Sequence, residues 1–180
     1  MEIYLIRHTT PSLSPGLIYG WLDVPLTDTF PQESEVIKTR LPQNPDAIYS
    51  SPSTRCTLLA QKINPVFTTD PRLRELHFGD WEGETWDTVN ESDLQIWMDD
   101  FVNAIVPGGE SMLQMSVRVL SFWSELIQLD YQKVAVVTHG GVIRLILAHL
   151  RNIELTKAFE IKVAYGEVVV INTLEIPTSN

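Results

Sequence analysis

One cysteine, Cys56, stands in a chain of 180 residues. No internal disulfide is possible, so the fold must rest on packing and hydrogen bonding, and the composition suits a reducing compartment. No run of about 18 apolar residues occurs, which leaves no candidate transmembrane helix. The apolar stretch after Met1-Glu2 is too short for a secretory signal and has no basic residues before it. These absences predict a cytoplasmic protein. Basic residues are also scarce: 13 Lys and Arg stand against 23 Asp and Glu, a formal net charge of −10. Such a surface disfavours nucleic acid and anionic membranes and leaves a small molecule as the expected partner. Between Glu75 and Glu110 lie ten acidic residues and no Lys or Arg. With no internal repeat, low-complexity tract or linker, the chain reads as a single domain over 1–180, with an acidic helical insertion or lid at about 76–110. Nothing decides between monomer and homodimer.

What is present alternates. Residues 2–7 carry an apolar run without helical period and predict a buried strand. Residues 9–30 are rich in Pro, Gly, Ser and Thr and predict loop. A helix is expected over 32–41, a strand over 47–49, and a helix over 53–63 with Ser51 as N-cap and Pro52 at its first position. A third strand is expected over 66–68. A turn over 107–111 feeds a helix reaching 129, with Met112, Met115, Val119, Phe122 and Leu126 near one stripe. A buried strand over 134–137 runs into a helix over 142–150. Residues 159–164 and 167–172 predict a hairpin around Tyr165-Gly166. This alternation indicates an α/β fold with a largely parallel central sheet.

In open α/β sheets ligands bind beyond the carboxyl ends of the strands. Arg7 and His8 end the first strand, Arg55 lies just past the second, and His139 ends the strand over 134–137. Taken singly, each has a structural reading: a strand-end histidine more often packs than reacts, and Arg55 could be a helix-surface cation. Together, two arginines, two histidines and the N–H groups around Gly140 and Gly141 form an oxyanion receptor matched to a phosphoryl group. Other phosphoryl chemistries lack their signatures. No G-x-x-x-x-G-K-[ST] occurs, Cys56 is followed at the needed spacing by Lys62 and not Arg, and the histidines at 8, 77, 139 and 149 show no metal-binding spacing. A histidine-based mechanism without metal or cofactor is what remains.

At this point the chain resembles the histidine phosphatase superfamily, in its phosphoglycerate mutase-like branch. The carriers are Arg7-His8, Ser51-Pro52-Ser53-Thr54-Arg55, the stretch Leu73-Arg74-Glu75-Leu76-His77-Phe78-Gly79-Asp80-Trp81-Glu82-Gly83, and Thr138-His139-Gly140-Gly141. Within it, Ile6 to Pro11 and Tyr19 to Leu26 look most like the alpha-ribazole phosphatases, which act in cobalamin nucleotide-loop assembly. The resemblance implies a three-layer fold with helices on both sides of the sheet. It implies a metal-independent phosphomonoesterase that forms a phosphohistidine at His8. Arg7, Arg55, His139 and Gly140 would bind phosphate, and Glu75 would be the general acid. On sequence alone Glu75 could instead pair with Arg72 or Arg74. Many members carry Gly-Glu or Gly-Gln after Arg-His and an Asn further on; here Thr9-Thr10 follow and Ser14 stands near the Asn position. Thr9 and Ser14, with Trp21 as a possible stacking wall, are the expected substrate-side residues. Trp81 and Trp86 are either packed or part of that wall. The alternatives are a broad-specificity phosphatase, a phosphoglycerate mutase, or a catalytically weak regulatory module.

Overall fold

The computed structural model describes residues 1–175; the last residues of the expected 1–180 span lie outside the described residues. Five strands form one sheet: β1 (Glu2–Arg7), β2 (Ala47–Ser50), β3 (Thr68–Thr69), β4 (Lys133–Thr138) and β5 (Val168–Asn172). Their order is β3-β2-β4-β1-β5. The first four run parallel, and β5 lies antiparallel on β1.

Side chains alternate across the sheet with the period of two that strands impose. Ile3 and Leu5 of β1, with Val134 and Val136 of β4, face α4 (Met112–Leu126) and α5 (Gly140–Leu150). Ile6, Ala135 and Val137 face the other way, toward Ile37 of α1 (Phe30–Lys38) and Cys56, Leu59 and Ala60 of α2 (Thr54–Ile63). The result is three layers. Burying each such aliphatic side chain is worth about 1.5–3 kcal/mol. A short helix α3 (Glu91–Asp99) lies within the acidic stretch, capped at Asn90, whose side chain accepts from Ser92 and Asp93. Around it Trp81, Trp86, Trp97 and Phe78 pack together. No helix among the described residues is long and apolar enough to cross a membrane.

Two sequence expectations are corrected. The hairpin over 159–172 does not form: Leu155–Glu160 is a 3-10 helix whose Ala158 is buried in the core beside α5, and β5 pairs with β1 instead. β5 adds to the edge of β1 with a full ladder, from Ile3 opposite Ile171 to Ile6 opposite Val168, while the 3-10 turn of Leu155–Glu160 keeps the segment before it out of the sheet. The helix expected to be capped by Ser51 begins later, with Ser53 at the N-cap and Pro52 outside. Ser51 is still held to the sheet by its N–H bond to the Val137 carbonyl, 2.9 Å. The cap for Thr54 comes from far away: Asp23 accepts from its N–H at 2.9 Å and from its hydroxyl at 2.8 Å. Elsewhere the expected boundaries shift by a few residues, as for α4, which ends at Leu126.

Candidate active site

The parallel strands end together. Arg7 of β1 is in register with Thr138 of β4, and Ser50 of β2 with Val137. The residues after these ends, His8, Ser51 and His139, are buried, and Arg55 on the first turn of α2 is 0% exposed. Arg7, His8, Arg55 and His139, the four groups read from sequence, therefore meet at one edge of the sheet.

His8 is oriented by its own backbone. Nδ1 lies 2.8 Å from the Thr9 carbonyl, which can only accept, so Nδ1 carries the proton and Nε2 keeps its lone pair. Burial, and then the Arg55 charge, push its pKa down to about 3, with Arg7 adding to the shift. The ring is neutral at pH 7, as a nucleophile must be. His139 sits edge-on to it, ring centroids 5.3 Å apart. Its Nδ1 is 3.3 Å from Arg55 Nη2, a donor only, and its Nε2 is 2.8 Å from the Ser51 hydroxyl. Burial, then Arg55, hold it well below the usual histidine range.

The arginines are anchored by carbonyls, so their charge is not cancelled. Arg55 donates to Leu22 at 3.0 Å and Gly20 at 2.6 Å; Arg7 donates to Val163 at 2.6 Å. The Nε atoms of both are buried without a hydrogen-bond partner, and no carboxylate among the described residues forms an ion pair with either. In a chain of net charge −10, one buried and one half-buried guanidinium, neither with a carboxylate partner among the described residues, suit an anion.

Glu75 is not paired with Arg72 or Arg74. Arg72 binds Asp70 and Glu125, and Arg74 lies over the Trp21 ring. The Glu75 carboxylate instead accepts from its neighbour Leu76 N–H and from Gly141 N–H in the first turn of α5, both at 3.0 Å. A Cβ at Gly141 would come 2.1 Å from Glu75 Oε1, and one at Gly140 would come 3.2 Å from Arg7 Cζ. The two glycines thus make room for the acid and for a phosphate-facing arginine. Arg118 of α4 fixes the Glu75 segment by donating to the carbonyls of Arg72, Arg74 and Glu75 at 2.7–2.8 Å while paired with Glu110.

Beside Glu75 opens a cavity of about 180 Å3, walled by Leu76, Phe78, Met112, Met115, Leu145 and Phe159, with Tyr19 and Arg144 as its other polar groups. Arg144 donates Nε–H to Ile161 and has no carboxylate ion-pair partner among the described residues. Of the expected substrate-side residues, Thr9 is buried and gives its carbonyl to His8. Ser14 is exposed, and its described bond is a backbone one, from Leu17. Trp21 stacks on His77 at 4.2 Å and donates its indole N–H to the Glu75 carbonyl, so it braces the acid's segment from outside the cavity. Trp81 and Trp86 are packed with Trp97, away from the cavity wall.

Ser51, Tyr19, Arg144 and Tyr165 were not singled out in sequence as site residues. Tyr165 packs on Arg7 and His8. Ser51 and Tyr19 lie in stretches that carry the family resemblance, which was the signal available for them, whereas Arg144 and Tyr165 carry none. Cys56 is no rival nucleophile, because burial pushes its thiol up to about 12. Among the described residues no group of His, Cys, Asp and Glu is arranged to hold a metal ion.

Known proteins resemble this chain in sequence and fold. The chain is 32% identical over 169 residues to a putative phosphoserine phosphatase 2 of Hydrogenobacter thermophilus, covering 89% of this chain and 83% of the relative. It is 28% identical over 176 residues to the adenosylcobalamin/alpha-ribazole phosphatase of Salmonella typhimurium, covering 92% and 87%. Among solved structures, that of a putative alpha-ribazole-5′-P phosphatase from Escherichia coli superposes with a TM-score of 0.87 at 27% identity, over 96% of this chain and 91% of that one. The family model of the histidine phosphatase superfamily (branch 1) matches residues 3–175. With that match spanning nearly the whole described chain, and relatives named as phosphatases, the protein belongs to the histidine phosphatase superfamily, branch 1, and is a phosphatase of that family.

Proposed function

We propose that the chain hydrolyses a small-molecule phosphate monoester in the cytoplasm through a phosphohistidine at His8, without a metal ion, and that α-ribazole 5′-phosphate is its substrate. The observation that carries the reaction is the neutral His8, its Nε2 lone pair free, beside two guanidiniums that no carboxylate neutralises. Nε2 forms the N–P bond as the P–O bond to the leaving group breaks, and Glu75 gives that oxygen a proton. Water then attacks the phosphohistidine, Glu75 takes a proton from it, and His8 and orthophosphate are released. Arg7 and Arg55, with the Gly140 turn, hold the phosphoryl oxygens, and His139, whose Nδ1 faces the Arg55 donor, turns its Nε2–H from the Ser51 hydroxyl to the phosphoryl group. The charge on that group changes little, so positioning and fixed electrostatics carry most of the rate.

Two observations support α-ribazole 5′-phosphate. Relatives and structural neighbours bear that activity in their names. The apolar cavity beside Glu75, with Phe78 and Phe159 in its walls, suits a flat apolar heterocycle. In this reading the acidic segment, which supplies Leu76 and Phe78, serves as the lid of that cavity. A second reading rests on Arg144. An unpaired guanidinium in the leaving-group cavity favours a leaving group that carries a carboxylate, as in the relative named a phosphoserine phosphatase. The test is kcat/KM on α-ribazole 5′-phosphate, O-phosphoserine and 3-phosphoglycerate, all in EDTA. The first should rank highest. O-phosphoserine in first place, with that preference lost in Arg144→Gln, establishes the second reading; a flat ranking means broad specificity. Activity lost in EDTA and restored by one divalent metal contradicts the metal-free mechanism.

A further inference from the structure

Tyr19 and Tyr165 come from opposite ends of the chain and meet over the site, their hydroxyls 2.7 Å apart. Each ring lies against one of the two phosphate-facing arginines. Arg7 Cζ is 3.7 Å from the Tyr165 ring centroid, and Arg55 Cζ is 5.3 Å from that of Tyr19. Tyr165 also contacts the His8 ring, centroids 5.5 Å apart. Its loop is stitched to the end of β1: Gly166 donates to the His8 carbonyl at 3.1 Å, and Glu167 accepts from the Arg7 N–H at 3.0 Å. Gly166 has φ +67°, a backbone conformation that turns the loop back over the site.

Arg7 needs such a partner. Among the described residues its guanidinium has one hydrogen bond, from Nη1 to Val163, and a buried Nε with none. One bond leaves the plane free to pivot. The face of Tyr165 removes that freedom without neutralising the charge, which a carboxylate would do. Arg55 needs less help, since Leu22 and Gly20 both hold it.

We propose that Tyr165, braced by the hydroxyl of Tyr19, is a positioning residue that fixes the Arg7 guanidinium in the orientation that receives the phosphoryl group. The proposal rests on the phosphatase reading. Its test is the affinity of the full chain for orthovanadate, a phosphoryl mimic, together with thermal midpoints. Tyr165→Ala should bind vanadate about tenfold more weakly, the value of a partly desolvated cation–π contact. Tyr165→Phe keeps the ring and should recover most of that loss. Tyr19→Phe and Tyr165→Phe should each weaken binding by roughly the same factor of a few, with the same small fall in thermal midpoint, and the double variant should be no worse than either single, because both delete the same hydrogen bond. Wild-type affinity in Tyr165→Ala overturns the proposal, as do losses that multiply in the double variant; both leave the phosphatase reading standing. No vanadate binding by the unaltered protein removes that reading and this one with it. The Arg7 side-chain N–H resonances give a reading that needs no ligand. They should be shifted by the Tyr165 ring current in Tyr165→Phe as in the unaltered protein, and not in Tyr165→Ala; equal shifts in all three overturn the proposal.

Discussion

Glu75 and Gly141 occupy one another's space: the carboxylate sits where a Cβ at 141 would have to be, and the amide it accepts from is the one that Cβ would shield. That fit holds an acid beside the leaving-group cavity, and its consequence is measurable. Glu75→Gln keeps the shape and cannot transfer a proton. General acid catalysis is worth about 10²–10⁴-fold, so phosphorylation of His8 by an alkyl phosphate should slow by about 10²-fold or more. With p-nitrophenyl phosphate, whose leaving group needs no proton, the loss should be much smaller. Single-turnover kinetics must be used, because hydrolysis of the phosphohistidine also needs Glu75. Equal losses for the two esters take the acid role from Glu75. At this level the sequence was most legible where a side chain is delivered by the strand that precedes it, as with Arg7, His8 and His139. It did not give the partners of Ser51, Tyr19, Arg144 and Tyr165, which are set by packing between segments far apart; the Ser51–His139 bond spans 88 residues.

The start of α2 shows why elements were easier to find than to delimit. Ser51-Pro52 has the composition of a helix start, yet the sheet keeps Ser51, and a carboxylate 31 residues upstream supplies the cap. Helix-start chemistry in sequence cannot reveal a cap from another segment. That remote cap ties the loop carrying Gly20 and Leu22, which hold Arg55, to the helix that carries Arg55. Asp23→Ala should therefore lower stability by about 1 kcal/mol, the usual value of a lost N-cap, and weaken vanadate binding as well. Urea unfolding and vanadate titration check this, and a variant unchanged in both contradicts the linkage. The failed hairpin has the same origin. Residues 159–164 have a strand's composition, but Leu155–Glu160 coils into a 3-10 helix that draws Ala158 into the core beside α5, and β5 remains an edge strand paired with β1 alone among the described strands.

Across the whole molecule the charge is negative while the site is positive, and two acids of the acidic stretch hold its fold in place. Glu82 accepts from the N–H groups of Trp21, Leu22 and Phe78, and Glu110 is paired with Arg118. Of its ten acids only Glu75 lines the cavity. The two buried histidines make stability depend on pH. His8 has a folded pKa near 3 against 6.5 in the unfolded chain, and His139 is lowered too. The unfolded state therefore binds more protons below pH 6.5. Stability is full above that pH and is lost progressively as pH falls toward 3. At pH 5.5 His8 alone costs about 1.4 kcal/mol, and His139 adds to the fall in the same direction. Urea unfolding at pH 5.5 and 7.5 should show the fall, and His8→Asn should reduce it by about that amount; an equal fall in the variant contradicts a buried neutral His8. The chemistry itself is reached most directly by rapid quenching of the full chain with a 32P-labelled phosphomonoester. The expected result is one acid-labile, base-stable phosphoryl group per chain, mapped to His8 and absent from a folded His8→Asn variant. Turnover with no labelled protein at any time, or label on another residue, would contradict phosphoryl transfer through His8.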